Sequence, residues 1–286
     1  MDACGRFGVR SHPLNTMDIM SDEREPLGEG MAMGAPSVDA DARRAPVVAV
    51  ILAAGFGTRF DPMRPKQLVS VGGRPVIAWS IDAFEANPRI TDILVVVNPQ
   101  VRHAVERLVD ERGYPKVRAV IDGGEQRFDS TVNALRMLDS AGIPDDARLL
   151  IHDAVRPFVG QSVITACVAS LDGYAASTVA VASTDTVLVT EESEGSRLIT
   201  SVPDRSLMYR AQTPQAFRFA TLRKAYELAS RDPGFTPTDD TRVVVDYLPH
   251  TDVAIVPGDD TNIKITTRED MPVAERIAAR ILVGSR

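Results

Sequence analysis

The sequence predicts an α/β fold built on a mainly parallel sheet. From Pro46 onward, short apolar runs alternate with helical patterns, as βαβ units require. The first run, Val47-Val48-Ala49-Val50-Ile51-Leu52, is apolar at every position and rich in β-branched residues, which suits a strand covered on both faces. It leads straight into Ala53-Ala54-Gly55-Phe56-Gly57-Thr58-Arg59, a small-residue turn where an open parallel sheet binds its ligands.

The remaining elements follow the same logic. Strands are expected at Val47–Leu52, Ile93–Val97, Val117–Ile121, Leu149–Ile151, Thr178–Val181 and Val253–Val256, each a compact apolar run. Helices are expected where apolar residues recur at three- and four-residue spacing: Val76–Ala86, Gln100–Glu111, Ser130–Leu138, Ser162–Leu171, Ala220–Ala229 and Arg268–Leu282. Between Ser183 and Thr213 the alternation breaks into two β-like pieces, Thr186–Thr190 and Arg197–Ser201. The acidic, glycine-bearing stretch between them marks a protruding hairpin over about residues 183–206. No internal repeat occurs.

Composition narrows the function. With 44% hydrophobic and 25% charged residues in a chain of 286, a large core is attainable. A formal charge of -7 argues against a coat for nucleic acid or anionic membrane, so any basic site is local. Cys4 and Cys167 form neither a disulfide framework nor a zinc motif, which fits a reducing cytoplasm. The longest apolar run, from Ala45 to Ala54, is far below the ~20 residues of a membrane span, and no secretory segment follows the N-terminus. Residues 1–45 lack either periodicity and read as a disordered extension ahead of one domain over 46–286. Met17, Met20, Met31 and Met33 within it also allow a later translation start.

The unusual residues gather at the predicted strand ends. Gly55 and Gly57 let backbone N–H groups approach an anion, and Arg59 and Lys66 bring full positive charge, so the first loop is built for phosphate. It is neither of the common phosphate loops. Phe60 stands where the dinucleotide fingerprint needs a small residue, and Gly-Lys-Ser/Thr is absent. After Ile121, Gly124 and Glu125 precede Asp129-Ser130, which serves either as a helix N-cap or as a base or ribose contact. After Ile151, Asp153 is placed to bind a metal ion or a ribose hydroxyl, or simply to satisfy loop N–H groups, and His152 reads as structural. Arg205 at the hairpin base, the rigid turn Thr213-Pro214-Gln215 and Lys264 after the last strand together supply cations and a hydroxyl for a second phosphate.

These residues resemble the 2-C-methyl-D-erythritol 4-phosphate cytidylyltransferase family of the non-mevalonate isoprenoid pathway, over residues 46–286. The matching pieces are Ala53 to Arg59, Pro65-Lys66-Gln67, Asp122-Gly123-Gly124 with Arg127, Ser130-Thr131-Val132, His152 to Pro157, Asp185-Thr186, Asp204-Arg205, Ala211 to Gln215, Thr238-Asp239-Asp240 and Asn262-Ile263-Lys264. The first two blocks fix only the nucleotidyltransferase superfamily, and the later ones, in this order, are more specific. Departures are small: Val155 stands where relatives commonly have Ala, and Asp240 where many have Glu.

The resemblance implies a Rossmann-like nucleotidyltransferase fold whose β-hairpin arm serves dimerisation, and transfer of CMP from CTP to methylerythritol phosphate with release of pyrophosphate. It implies that Arg59 and Lys66 stabilise the transition state, and that Arg205 and Lys264 position the sugar phosphate, with Arg156, Thr186 and Thr213 around it. Nucleotide contacts map to Ala53, Ala54, Gly55, Gly57, Gly124, Glu125, Ser130 and Ala154, and Mg²⁺ would sit near Asp153, which also faces the substrate. A homodimer whose arm carries Arg205 into the neighbouring site is implied as well. No general base is needed, because the attacking phosphate is already an anion. The rival readings are a cytidylyltransferase for another polyol phosphate, such as ribitol 5-phosphate, and a CTP-binding module without chemistry. A bifunctional enzyme that also carries the next cyclase of the pathway is not expected, since no room remains after Arg286.

Overall fold

The structure is a computed structural model that describes residues 45–55, 57, 60, 65–235 and 239–284. The expected N-terminal extension lies, but for Ala45, outside the described residues.

A seven-stranded sheet organises the chain. Its first strand, β1 (Val47–Ala53), is buried at every residue, as its unbroken apolar run requires. A short ribbon, β2 (Ser70–Val71) and β3 (Arg74–Pro75), leads into α1 (Val76–Glu85). Then come β4 (Asp92–Val97), α2 (Pro99–Arg112), β5 (Val117–Asp122), α3 (Arg127–Ser140), β6 (Arg148–Asp153), α4 (Gln161–Ser170) and β7 (Ala176–Ala182). The hairpin strands β8 (Val189–Ser193) and β9 (Ser196–Ser201) follow, then β10 (Tyr209–Arg218), α5 (Phe219–Ala229), α6 (Asp240–Tyr247), β11 (Val253–Pro257) and α7 (Met271–Gly284).

The strand order is β11-β7-β10-β6-β1-β4-β5. All neighbours run parallel except β10, which is antiparallel to β6 and β7. From β1 the chain winds outward through β4 and β5, then returns to lay β6 on the other side of β1. That reversal opens a crevice beyond the carboxyl ends of β1 and β6. Alternation in β1 serves both faces. Ala49 and Ile51 pack with α1, α2 and α4, whereas Val48 and Val50 pack with α3, α5 and α6. A third cluster of Val71, Trp79, Phe158, Ile265 and Ile277 seats α7 against the ribbon and α1.

Three local expectations are corrected, and one helix is added. Thr213-Pro214-Gln215 is not a turn but lies inside β10, where pairing with β7 slips between Ala211 and Gln215, so Pro214 has no ladder bond to donate. The first hairpin strand starts at Val189, not Thr186, and Glu191 and Glu192 lie within it. The turn is only Glu194-Gly195, with φ of 49° and 79°, the primed geometry a two-residue hairpin needs. Helix α3 begins at Arg127, three residues ahead of the expected Ser130: Asp129 is inside it and accepts the Gln126 N–H at 2.9 Å. Helix α6 was not expected; Asp239 caps it by accepting the Arg242 N–H at 2.8 Å.

Candidate active site

The crevice holds a cavity of about 270 Å³ whose walls come from three strand ends. The first is the β1 loop. Gln67 is buried and its Nε2 donates to the Ala53 carbonyl at 2.9 Å, which ties the Pro-Lys-Gln segment beneath that loop. Gly57 has φ of 67°, and a Cβ there would come within 3.1 Å of the Lys66 stem, so the loop and this lysine lie in close contact. Lys66 Nζ donates to the Ile265 carbonyl at 3.3 Å.

The loop after β5 forms the second wall. A Cβ on Gly123 would fall 2.3 Å from Ala54 Cβ, and one on Gly124 would fall 2.1 Å from Asp129 Cβ. Only glycine lets this loop rest on both the β1 loop and α3. Ser130 Oγ donates to the Gln126 carbonyl at 3.1 Å and accepts the Gly124 N–H at 3.2 Å, which sets the mouth of α3 toward the cavity.

Asp153 at the end of β6 forms the third wall, paired in register with Leu52 of β1. Its Oδ2 meets Lys264 Nζ at 2.7 Å, and its Oδ1 lies 3.5 Å from Arg127. Burial alone would raise this carboxyl, but Arg127 and Lys264 outweigh burial and hold it well below the usual carboxylate range. Its N–H donates to Thr213 Oγ1 at 3.1 Å. The Thr213 hydroxyl in turn faces His152 Nδ1 at 3.0 Å, and His152 Nε2 faces the Arg156 carbonyl at 3.0 Å. Those partners assign the neutral imidazole, with the proton on Nε2. Burial lowers His152 to about 4, so it is structural, as its sequence context suggested.

Ten of the expected site residues line this cavity: Ala53, Ala54, Gly55, Gly57, Lys66, Gly124, Glu125, Ser130, Asp153 and Lys264. Ala154 does not; it is fully buried, its N–H donating to the Leu52 carbonyl and its carbonyl accepting from Ser80. Thr213 is buried behind Asp153, and Arg156 spans the Asn262 and Ala211 carbonyls at 2.8 and 3.3 Å. Thr186 and Arg205 are exposed at the hairpin, where Arg205 Nη1 donates to the Thr184 carbonyl at 3.4 Å. Arg59 lies outside the described residues. Six residues given no role by the sequence join the wall, Leu52, Gln67, Gln126, Arg127, Val155 and Thr266. A signal for Arg127 existed: a cation in the first turn of a helix opposes the helix dipole, so another partner must retain it. Here that partner is the fully buried Asp240.

Among the described residues, no group of three or more His, Cys, Asp or Glu side chains converges, and no helix is long and apolar enough to cross a membrane. The cavity is thus glycine-walled and lined by three cations, Lys66, Arg127 and Lys264, and two carboxylates, Asp153 and Glu125, an arrangement suited to polyphosphate.

Known proteins share this organisation. The sequence model described as 2-C-methyl-D-erythritol 4-phosphate cytidylyltransferase matches residues 47–280. The enzyme of that name from Bifidobacterium longum subsp. infantis is 66% identical over 241 residues, covering 84% of this chain and 83% of its own. A bifunctional ribulose 5-phosphate reductase/CDP-ribitol pyrophosphorylase of Haemophilus influenzae is 34% identical over 230 residues, 80% of this chain but 48% of its own length. The crystal structure of 4-diphosphocytidyl-2C-methyl-D-erythritol synthase from Anaerococcus prevotii superposes with a TM-score of 0.71 at 28% identity, covering 82% of this chain and 99% of that one. Family model, sequence identity and fold agree: the chain belongs to the 2-C-methyl-D-erythritol 4-phosphate cytidylyltransferase family.

Proposed function

We infer that the cavity beyond β1 and β6 is where CTP and 2-C-methyl-D-erythritol 4-phosphate react, giving 4-diphosphocytidyl-2-C-methyl-D-erythritol and pyrophosphate. The observation that carries this reading is that Lys66, Arg127, Lys264 and Asp153 line one glycine-walled crevice, with Arg127 and Lys264 on the Asp153 carboxylate. A substrate phosphate oxygen forms the new bond to the α-phosphorus as the bond to pyrophosphate breaks. Charge then builds on the α-phosphoryl oxygens, where Lys66 and Arg59 act. The β1 loop and the Gly124-Glu125 loop with Ser130 take the nucleoside. Ala154 contributes by bracing the strand end rather than by contact. Lys264 receives the polyol phosphate, while Thr213 holds the Asp153 N–H and Arg156 ties down the Asn262 carbonyl two residues before Lys264.

Mg²⁺ belongs to this reading as a companion of the nucleotide. With only two carboxylates, Asp153 and Glu125, on its wall, the cavity fits an ion that keeps its water and phosphate ligands, and Asp153 is the side chain that would hold it. When bound, the ion supplies charge neutralisation at the phosphates.

A homodimer completes the site. Leu198 is 50% exposed, Ile199 59%, Val202 57% and Leu207 72%, an apolar surface along the hairpin and its base that a partner would cover. Arg205 and Thr186 belong to this segment and serve the neighbouring chain's cavity. Residues 1–45 form a dispensable extension of a cytoplasmic enzyme.

Specificity for methylerythritol phosphate over ribitol 5-phosphate is favoured by 66% identity to an enzyme named for the former against 34% to one that includes CDP-ribitol pyrophosphorylase. Pyrophosphate release, measured with each polyol phosphate against each of the four ribonucleoside triphosphates, tests the assignment. Preferred turnover of ribitol 5-phosphate would replace the substrate, and no release with any pair would leave a binding module.

A further inference from the structure

We propose that Asp240 is a positioning residue for cytidylyl transfer, acting through Arg127 on the Asp153–Lys264 pair; the proposal rests on the placement of those two residues in the substrate site.

Asp240 opens α6 and is fully buried, so its carboxylate must be compensated by donors. Thr131 Oγ1 donates to its Oδ1 at 2.9 Å, Tyr226 Oη donates to the same oxygen at 2.5 Å, and Arg127 Nη1 pairs with its Oδ2. Gln215 Oε1 accepts the Asp240 N–H at 3.0 Å. Thr131 and Tyr226 face only the interior. Arg127 alone among the three donors also reaches the cavity, with Nε and Nη2 each 3.5 Å from Asp153 Oδ1. An alternating chain of charges therefore runs from core to crevice: Asp240, Arg127, Asp153, Lys264.

The distances say how the chain is shared. Arg127 is drawn tightly to Asp240 and stands off Asp153, while Lys264 sits close on the other Asp153 oxygen. With Asp240 neutralised, Asp153 becomes the one carboxylate paired with Arg127. A guanidinium fork prefers to grip a carboxylate through both oxygens. That grip would take Oδ2 from Lys264 and close the carboxylate to substrate. Asp240 thus keeps Arg127 back and leaves half of Asp153 available. A clamp that merely ties α3, α5 and α6 together would lower stability without this dependence on Arg127.

Full-length wild type, Asp240→Asn, Tyr226→Phe, Arg127→Gln and the Asp240→Asn/Arg127→Gln double variant are compared by pyrophosphate release, each below its own unfolding midpoint. Asp240→Asn is expected to lower kcat roughly 10- to 100-fold, as loss of an outer-shell partner does elsewhere. Tyr226→Phe removes a bond to the same carboxylate yet should stay within about 2-fold of wild type, and in the Arg127→Gln background Asp240→Asn should add less than about 2-fold. Unchanged kcat in Asp240→Asn, equal losses in Asp240→Asn and Tyr226→Phe, or fully additive losses in the double variant would each overturn the proposal. Wild-type turnover in the same assay reports on the reaction itself, so those outcomes leave the functional assignment intact.

Discussion

Acid should destabilise this fold through His152, in a window set by one proton. Its imidazole is buried between the Thr213 hydroxyl and the Arg156 carbonyl, and burial brings it to about 4. In the unfolded chain an imidazole titrates near ~6.5. Between the two values the unfolded chain binds the proton and the fold does not, so stability rises with pH there and is lost as pH falls. Linkage with these values removes about 2 kcal/mol between about pH 7.5 and about pH 5, and about 3 kcal/mol once pH falls below about 4. Asp153 adds nothing in that window. Its folded carboxyl is depressed, so the stability it contributes is lost only below the ordinary aspartate value near ~3.9. Urea unfolding at 25 °C across the pH range reads the slope directly, and His152→Gln should abolish most of it. Proton NMR of the wild type supplies a second reading: the His152 ring should remain neutral down to about pH 5. A wild-type loss below about 0.5 kcal/mol across the window, a His152→Gln variant that keeps the full slope, or a ring that titrates near ~6.5 would refute the reasoning.

Lys66→Ala should lower kcat by roughly two to three orders of magnitude while CTP binding, measured by calorimetry, weakens less; a kcat within a few-fold of wild type would remove Lys66 from the transition state. Deleting residues 1–45 should leave kcat, KM and the thermal midpoint unchanged, and a large loss of any of them would mean that the extension docks on the catalytic domain. Mixing Lys66→Ala with Arg205→Ala under subunit exchange should restore roughly a quarter of wild-type sites, because each mixed dimer holds one site with both lesions and one with neither. No rescue, with exchange confirmed independently, would place both residues in one chain's site.

The parts of the fold legible in the sequence are those whose cause is local. Strand β1 is buried on both faces, so it is apolar at consecutive positions, and the glycines and cations of its loop sit within a few residues. Strand β10 was hidden because its bulge carries Thr213-Pro214, a pair that in isolation reads as a turn. The ends of the hairpin strands are hidden for a related reason: β8 and β9 stand largely in solvent, so glutamates are tolerated within a strand and no alternation marks its ends. The charge chain was invisible because its members lie far apart, Arg127 being 113 residues from Asp240. As the first residue of a helix, Asp240 looks like any acidic residue favoured at an N-terminus, and nothing local announces that it is buried.

Two supports of different chemistry meet on Asp153, and the difference has consequences. Its backbone is fixed by a neutral relay through Thr213 and His152, in which no member carries charge at neutral pH. Its side chain is fixed by the ionic chain from Asp240 and by Lys264. A neutral relay tolerates salt but fails when His152 accepts a proton. The ionic chain is buried at its Asp240 end, where salt screens little, and opens toward solvent at Lys264, where screening is effective. Acid therefore attacks the strand end that presents the carboxylate, whereas salt acts on Lys264, the exposed end of the chain. The two influences are thus separate: Asp153 is held in register with β1 by one, and its outer oxygen is held on Lys264 by the other.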